Sequence, residues 1–246
     1  MTGIQIYTVR ALTKTVGDAS LTMRALMDMG YDCIQLAGNI DNIEKDAVAA
    51  KECGMRTIGI LTNPETCEEH LDRLIKIAKE LGASDIGISG YAKTLAEAKE
   101  LAKKANRFAK ATVNAGLTFS YHNHSHEFIK LENGKTVMEN LLSRFDKENV
   151  SLMPDTYWLQ HGGVDVRDFI SKHGERVKIL HLKDMKRTVD GVTFAEIGEG
   201  NLNISQIIDT AKSKGISCFI VEQDTCDADP LDSAKISINN LKGILQ

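Results

Sequence analysis

Membrane-spanning, secretory and disulfide-rich signatures are all missing from this sequence of 246 residues. No apolar run approaches the roughly 18 residues that a transmembrane helix needs, and the N-terminus has neither the basic nor the apolar region of a signal peptide. The 5 cysteines include no Cys-x-x-Cys pair, which argues against a disulfide framework and against a zinc ribbon. We therefore expect a cytoplasmic protein with free thiols and no membrane partner.

An excess of positive charge is missing as well. The chain has 30 lysines and arginines against 34 aspartates and glutamates, and its pI is near 6.0. Proteins that bind nucleic acid usually carry a basic surface that neutralises phosphates. The sequence also contains no Gly-x-x-x-x-Gly-Lys-[Ser/Thr] phosphate loop and no dinucleotide-binding fingerprint. We therefore expect no nucleic-acid partner.

Short apolar runs alternate with amphipathic stretches along the whole chain. Apolar residues recur at three- and four-residue steps in 67–81 and 93–115, which predicts helices there. Eight strand-like runs at a spacing of roughly 31 residues match the size of a βαβ unit, and eight such units favour a closed (β/α)8 TIM barrel over a doubly wound sheet. We see no linker and expect one barrel domain over residues 1–246. The predicted strands are residues 3–8, 32–36, 55–60, 84–88, 117–122, 150–154, 177–182 and 217–222.

Metal-binding side chains stand near the ends of four predicted strands. Asp155, His181 and Glu222 each directly follow a short apolar run, and Glu127 lies in the loop after the fifth strand. The loops that follow the strands build the active site of a TIM barrel, so these four side chains are expected to meet at its mouth. Their oxygen-rich donor set suits one divalent ion, with Mn²⁺ favoured over Co²⁺, Mg²⁺, Fe²⁺ and Zn²⁺.

Other polar residues lie beside these positions. His122 and His124 share one face of the fifth strand, and two such histidines are costly to bury without partners. Lys183 can polarise a carbonyl or hold an oxyanion, although a surface ion pair is the alternative. Trp158 can stack on a sugar or only pack the rim, and Glu199 can supply a carboxylate or only belong to a turn.

Several motifs occur in a familiar order, and together they resemble the xylose-isomerase-like barrels, a superfamily of sugar and sugar-phosphate isomerases and epimerases. The resemblance covers essentially the whole chain. The Tyr-His-Asn-His-x-x-Glu-Phe and His-Leu-Lys-Asp segments are fairly specific to one branch of that superfamily. The motifs are Gln5-x-Tyr7-Thr8-Val9-Arg10, Tyr121-His122-Asn123-His124-x-x-Glu127-Phe128, Asp155-Thr156, His181-Leu182-Lys183-Asp184, Gly198-Glu199-Gly200 and Val221-Glu222-x-Asp224.

The resemblance implies metal-ligand roles for Asp155, His181 and Glu222. On the fifth strand the family has a glutamate where this chain has His122, so either His122 or Glu127 completes the set. We predict Glu127, because the charge of the metal needs more than two carboxylates to balance it. Gln35 and Leu61 also depart from the family's pattern, which leaves the substrate open.

On this basis we expect a metal-dependent isomerase or epimerase of a sugar, sugar phosphate or keto sugar. Glu222 would remove the proton next to the carbonyl, Glu127 or His122 would return one, and Lys183 with the metal would stabilise the enediolate. The partner is a small carbohydrate, and a homodimer is compatible with a barrel of this size. The residues expected to bind substrate are Gln5, Tyr7, His124, Trp158 and Glu199.

Three alternatives stay open. A dehydratase or lyase of inososes or 3-keto-glycosides would share the first step, with His124 or His122 protonating the leaving oxygen. A non-catalytic sugar-binding barrel would tolerate an altered ligand set. An apurinic endonuclease would need two or three metals and a basic face, which the acidic balance of the chain disfavours.

Overall fold

The structure, a computed structural model, describes residues 1–245. Within this range, eight parallel strands form one sheet and two antiparallel strands form a separate hairpin. In chain order the strands are β1 (Thr2–Gln5), β2 (Cys33–Ala37), β3 (Thr57–Thr62), β4 (Asp85–Ile88), β5 (Thr118–His122), β6 (Val150–Met153), β7 (Leu180–Leu182), β8 (Asp184–Thr188), β9 (Gly191–Ala195) and β10 (Phe219–Val221).

The parallel sheet runs in the order β6-β5-β4-β3-β2-β1-β10-β7 and curves until its two edges meet. Parallel bridges join Leu152 to Val177 and Asp155 to His181 across that seam. The backbone N–H of His181 donates to the carbonyl of Pro154 at 2.9 Å. These contacts make a nearly closed TIM barrel, and the fold predicted from the sequence is confirmed.

Helices connect the strands and cover the outside of the barrel. The two long amphipathic stretches predicted from apolar spacing form helices over Pro64–Glu80 and Leu95–Asn114. Asn63 begins the first of them by accepting a hydrogen bond from the backbone N–H of Thr66. The α-helices are α1 (Val16–Met29), α2 (Ile40–Cys53), α3 (Pro64–Glu80), α4 (Leu95–Asn114), α5 (Val137–Leu142), α6 (Thr156–His161), α7 (Val166–His173), α8 (Ile204–Ser213) and α9 (Pro230–Leu245).

Two segments differ from the sequence prediction. The strand predicted over 3–8 ends at Gln5, because the Gln5 side chain accepts from the N–H of Tyr7 and starts the 3-10 helix Ile6–Leu12. The segment 184–203, predicted to be a loop, contains the β8–β9 hairpin. The residues of this hairpin are mostly half-exposed or exposed. The sequence therefore has no buried apolar run there from which the two strands could be predicted.

The interior of the barrel contains both apolar and polar side chains. Cys33, Met153 and Ile220 belong to one apolar cluster, and Gln5 and Gln35 are fully buried. The active site of a TIM barrel lies at the carboxyl ends of its strands, so the chemistry is expected there. Among the helices of residues 1–245, none combines the length and the apolar character needed to span a membrane.

Candidate active site

Four ionisable side chains converge at the mouth of the barrel. His122 is the last residue of β5, Asp155 follows β6, His181 lies in β7 and Glu222 follows β10. All four are buried, and one potential ligand atom from each lies within 4.8 Å of the others. Parallel strands bring their carboxyl ends to the same rim of a barrel. The structure thus brings together three side chains that the sequence analysis grouped, Asp155, His181 and Glu222.

Glu127 does not belong to that cluster. Its Oε1 accepts from the Tyr121 hydroxyl at 3.0 Å, and its Oε2 accepts from the backbone N–H of His124 at 2.9 Å. Successive side chains of a strand point to opposite faces, so Tyr121 points away from the interior that His122 faces and holds Glu127 with it. The structure therefore places His122, and not Glu127, beside Asp155, His181 and Glu222, whereas Glu127 lies in a separate group of potential metal donors with His124 and His126.

The donor set fits a divalent metal ion. It offers two imidazoles and two carboxylates, which suit first-row metals. The Nδ1 atom of His122 is buried and has no hydrogen-bond partner among residues 1–245, as expected of a donor aimed at a ligand. With His122 in place of Glu127, however, nitrogen and oxygen donors are equal in number. The oxygen majority on which the preference for Mn²⁺ rested is absent.

His181 is held on both sides of its ring. Its Nδ1 lies 2.8 Å from Glu222 Oε2, and its Nε2 lies 2.7 Å from Gln35 Oε1. Gln5 donates to the same oxygen of Gln35 at 2.7 Å. Gln35, which departs from the family's pattern, thus orients the imidazole of His181. The Gln5 side chain, which was predicted to bind substrate, supports this arrangement and also lines the cavity above it.

Lys183 places a cation inside the cluster. Its Nζ lies 3.2 Å from Asp155 Oδ2, 3.3 Å from Glu222 Oε2 and 2.8 Å from Asp224 Oδ1. Burial lowers the pKa of Lys183, but the three carboxylates more than offset this and hold it above its ordinary value. The side chain is 1% exposed. The alternative of a surface ion pair is therefore excluded, and the group stays protonated at neutral pH.

The carboxylates of the cluster respond differently to this cation. Burial alone would raise the pKa of Glu222, but Lys183 and His181 more than offset it and hold it well below its usual range. Burial dominates at Asp155 and raises its pKa. Burial also raises the pKa of Glu127 to about 8. Glu222 is therefore ionised at neutral pH and can bind a cation.

A cavity of about 310 Å³ opens above the cluster. Tyr7 lines it and is 42% exposed, and Asp224 lies in its wall beside Lys183. Trp158 borders the cluster, with its ring centroid 5.4 Å from that of His124 and 5.4 Å from Lys183 Nζ. The predicted site residues that line this cavity are Gln5, Tyr7, His122, His124 and Glu222.

Glu199 is not brought to the site. It is exposed, and its carboxylate accepts from the side chain of Asn240 on α9 at 3.0 Å. The acid that organises this segment is Asp184, which the sequence prediction left without a role. Its carboxylate accepts four backbone N–H groups, those of Met185, Gly198, Gly200 and Leu202.

Sequence reasoning also missed the part played by Asp224. Asp224 belongs to the Val221-Glu222-x-Asp224 motif, but it is 41 residues from Lys183 in sequence. Only the fold brings the two side chains together. The signal that could have found it is its position two residues after Glu222, since side chains two apart on an extended segment share a face. Asp184 had a comparable signal in the His181-Leu182-Lys183-Asp184 run.

The sequence and the fold are both similar to known proteins. A family model described as xylose isomerase-like TIM barrel matches residues 23–244. An inosose dehydratase of Lactiplantibacillus plantarum is 26% identical over 161 residues, which are 58% of this chain and 53% of the relative. The chain thus spans about half the length of the curated relatives it matches.

Solved structures match over nearly the full chain. A sugar phosphate isomerase/epimerase from Parabacteroides distasonis has a TM-score of 0.79 at 22% identity, covering 98% of this chain and 97% of that one. A xylose isomerase-like TIM barrel protein from Mycobacterium smegmatis in complex with magnesium has a TM-score of 0.74 at 16% identity, covering 95% and 90%. At these identities the two structures show the fold.

Proposed function

The chain belongs to the xylose isomerase-like TIM barrel family, and on that premise we propose that it is a divalent-metal-dependent isomerase or epimerase. It would act by removing the proton next to the carbonyl of a sugar or keto sugar. The observation that carries this proposal is Glu222, a buried carboxylate that lines the 310 Å³ cavity beside the ammonium of Lys183. A carboxylate and a cation side by side suit the removal of a proton and the stabilisation of the resulting oxyanion.

One metal ion is part of the proposal. His122, Asp155, His181 and Glu222 would hold it, since their ligand atoms lie close together. When bound, such an ion supplies Lewis-acid polarisation of the carbonyl and the neighbouring hydroxyl. Two solved structures with this fold hold magnesium and zinc, respectively, and imidazole with carboxylate suits several first-row metals.

The chain's own groups would move the proton and bind the charge. Glu222 would take the proton from carbon, and Lys183 would hold the oxyanion through its buried ammonium. Protonated Glu222 would then return this proton to the neighbouring carbon, because the free Nδ1 of His122 is assigned to the metal ion and carries no proton. Glu127 is left out of this scheme, because Tyr121 and the His124 backbone hold its carboxylate.

A dehydratase or lyase is the second candidate, and one observation favours it. His124 lines the cavity, and its buried Nδ1 finds no partner in the part of the chain that the structure describes. After proton removal, such an imidazole can protonate an oxygen that leaves from the next carbon. The curated relatives that match this chain are inosose dehydratases, which agrees with this alternative.

The test is metal content followed by proton exchange. The protein is loaded with Mn²⁺, Co²⁺, Mg²⁺ or Zn²⁺ and incubated in D2O with keto-sugars, inososes and 3-keto-glycosides, and the products are followed by NMR. Deuterium at a sugar carbon with unchanged product mass supports an isomerase or epimerase. Loss of water or of an aglycone supports the second candidate. An absence of metal binding and of exchange would contradict both and favour a non-catalytic sugar-binding barrel.

A further inference from the structure

The ammonium of Lys183 lies among three carboxylates. Its Nζ is 3.2 Å from Asp155 Oδ2, 3.3 Å from Glu222 Oε2 and 2.8 Å from Asp224 Oδ1. The side chains of Lys183, Asp155 and Glu222 are all buried. Buried charges need partners, so three carboxylates around one point require a cation there. In this chain the cation is a side chain of the protein itself.

The position of the ammonium adjoins the candidate metal centre and shares two residues with it. Asp155 and Glu222 belong both to the group of four metal donors and to the carboxylates around Lys183. Asp155 Oδ2 accepts no hydrogen bond from any group in residues 1–245, and a carboxylate has lone pairs for more than one cation. The arrangement therefore matches two cations side by side, like the paired ions about 3.5–4 Å apart in two-metal enzymes.

Aromatic rings beside this position favour an ammonium over a second metal ion. The rings of Trp158, in α6, and Phe194, in β9, have their centroids 5.4 Å and 5.7 Å from Lys183 Nζ. The face of an aromatic ring attracts an ammonium. It is not a ligand for a divalent ion, which needs oxygen, nitrogen or sulfur donors on its remaining sides.

We propose that the ammonium of Lys183 takes the place of a second metal ion, so that the centre binds a single divalent ion. This inference deepens the proposed function, from which it takes the first ion. A pair of metal ions stabilises both the attacking and the leaving oxygen in the hydrolysis of a phosphate ester. With one of the two positions filled by Lys183, the centre is not equipped for that reaction, which an apurinic endonuclease would need.

The test counts bound Mn²⁺ in the wild type, Lys183→Ala and Lys186→Ala by equilibrium dialysis and elemental analysis. Lys186 is an exposed lysine of β8 and serves as the matched control. We expect one ion per chain in the wild type and in Lys186→Ala, and two in Lys183→Ala. The two ions would share Asp155 and Glu222, so electron paramagnetic resonance should show magnetic coupling between them in Lys183→Ala and none in the wild type.

Asp224 shows where the additional ion binds. It contacts Lys183 but is not one of the four donors of the first centre. Adding Asp224→Asn to Lys183→Ala should therefore return the count to one ion. A second ion that persists in this double variant would lie elsewhere, as at the separate donor group of His124, His126 and Glu127, and would overturn the inference.

The variants are purified with Mn²⁺ present, because an ion that binds only the folded state stabilises it, and circular dichroism checks their fold. Lys183→Ser leaves the same space and replaces Lys183→Ala if that variant does not fold. An ion count equal to that of the wild type, or a coupled pair of ions in the wild type itself, would overturn the inference.

The inference and the proposed function can fail separately, because the inference concerns the gain of one ion relative to the wild type. A wild type that binds no ion would contradict the proposed metal-dependent reaction. A gain of one ion in Lys183→Ala that depends on Asp224 would still support the position assigned to Lys183, and the absence of this gain would overturn it.

Discussion

The hydroxyl of Tyr121 donates a 3.0 Å hydrogen bond to Glu127 Oε1. Tyr121 is 1% exposed and packs on Phe145, with ring centroids 5.2 Å apart. This bond fixes the carboxylate on the side of β5 that faces the surrounding helices. The next residue along the strand, His122, faces the interior instead. Two adjacent residues of β5 thus have different roles. His122 belongs to the cluster of potential metal ligands, and Tyr121 holds the Glu127 carboxylate in the neighbouring loop.

Replacing Glu222 by glutamine should abolish turnover and leave the fold intact. The amide cannot accept the proton from carbon, and general-base removal of this kind contributes roughly 10²–10⁴-fold to rate. Deuterium incorporation into a keto-sugar measures the loss, and circular dichroism checks the fold. Glu199→Gln is the control, because Glu199 contacts Asn240 outside the site. Turnover in Glu222→Gln equal to that of the wild type would remove Glu222 from the mechanism.

His122→Ala should weaken the binding of a divalent ion, whereas Glu127→Gln should not. His122 belongs to the group of four donors, and Glu127 is held by Tyr121 and the His124 backbone. Loss of a direct donor should cost at least the roughly 10–100-fold typical of outer partners. Titration with Zn²⁺ and Mn²⁺ by calorimetry gives both affinities. A larger loss of divalent-ion affinity in Glu127→Gln than in His122→Ala would indicate that Glu127 is the fourth ligand.

Lys183→Met should destabilise the protein when no divalent ion is present. The substitution keeps the apolar stem but leaves Asp155, Glu222 and Asp224 without their shared cation. Breaking a buried charge cluster by removing one partner costs about 3 kcal/mol or more. A bound divalent ion should restore part of this loss, because it binds only the folded state. The measurement is urea unfolding with EDTA and with added Zn²⁺. A variant as stable as the wild type in EDTA would contradict this account.

Asp85 should make stability depend on pH. It is buried in the barrel, where Thr118 and Ser120 hydroxyls donate to one of its oxygens, and burial raises its pKa from 3.8 to about 6. The folded state therefore holds this proton more tightly than the unfolded chain. The contribution of Asp85 to the free energy of unfolding falls as pH rises from about 4 to about 6, by about 3 kcal/mol in all.

Asp85→Asn removes this titration. Relative to the wild type, the variant should gain stability between pH 4 and pH 7, as measured by urea unfolding at several pH values. Asp41→Asn, at an exposed position in the first turn of α2, is the control for the exchange of a carboxylate for an amide. A constant difference between Asp85→Asn and the wild type across this range would show that Asp85 has an ordinary pKa.

The sequence predicted the barrel and three of the four clustered residues for one physical reason. Asp155, His181 and Glu222 come at the ends of apolar runs, and the fold of a parallel barrel determines where strand ends meet. Glu127 lies five residues beyond His122 in a loop, and the direction of its side chain depends on Tyr121, a contact that no local pattern encodes. A charge-balance argument favoured a third carboxylate, but the buried contacts of Lys183 show that this cluster already contains a cation.

The remaining differences arise from tertiary contacts. Glu199 stood at the tip of a glycine-flanked turn, yet its hydrogen bond to Asn240 on α9 turns it away from the mouth. The β8–β9 hairpin is mostly half-exposed and carries no buried apolar run. The loop that follows the hairpin is organised by the carboxylate of Asp184, the first residue of β8, which accepts from the backbone N–H groups of Gly198 and Gly200.

The backbone bridge between Asp155 and His181 helps to close the barrel, and the side chains of the same two residues belong to the candidate metal centre. Along the seam between β6 and β7, the described residues form isolated bridges rather than a continuous ladder. Two of the residues that close this seam also carry side chains of the candidate metal centre. Occupancy of that centre would therefore stabilise this seam, and slower hydrogen exchange of the His181 amide would report it.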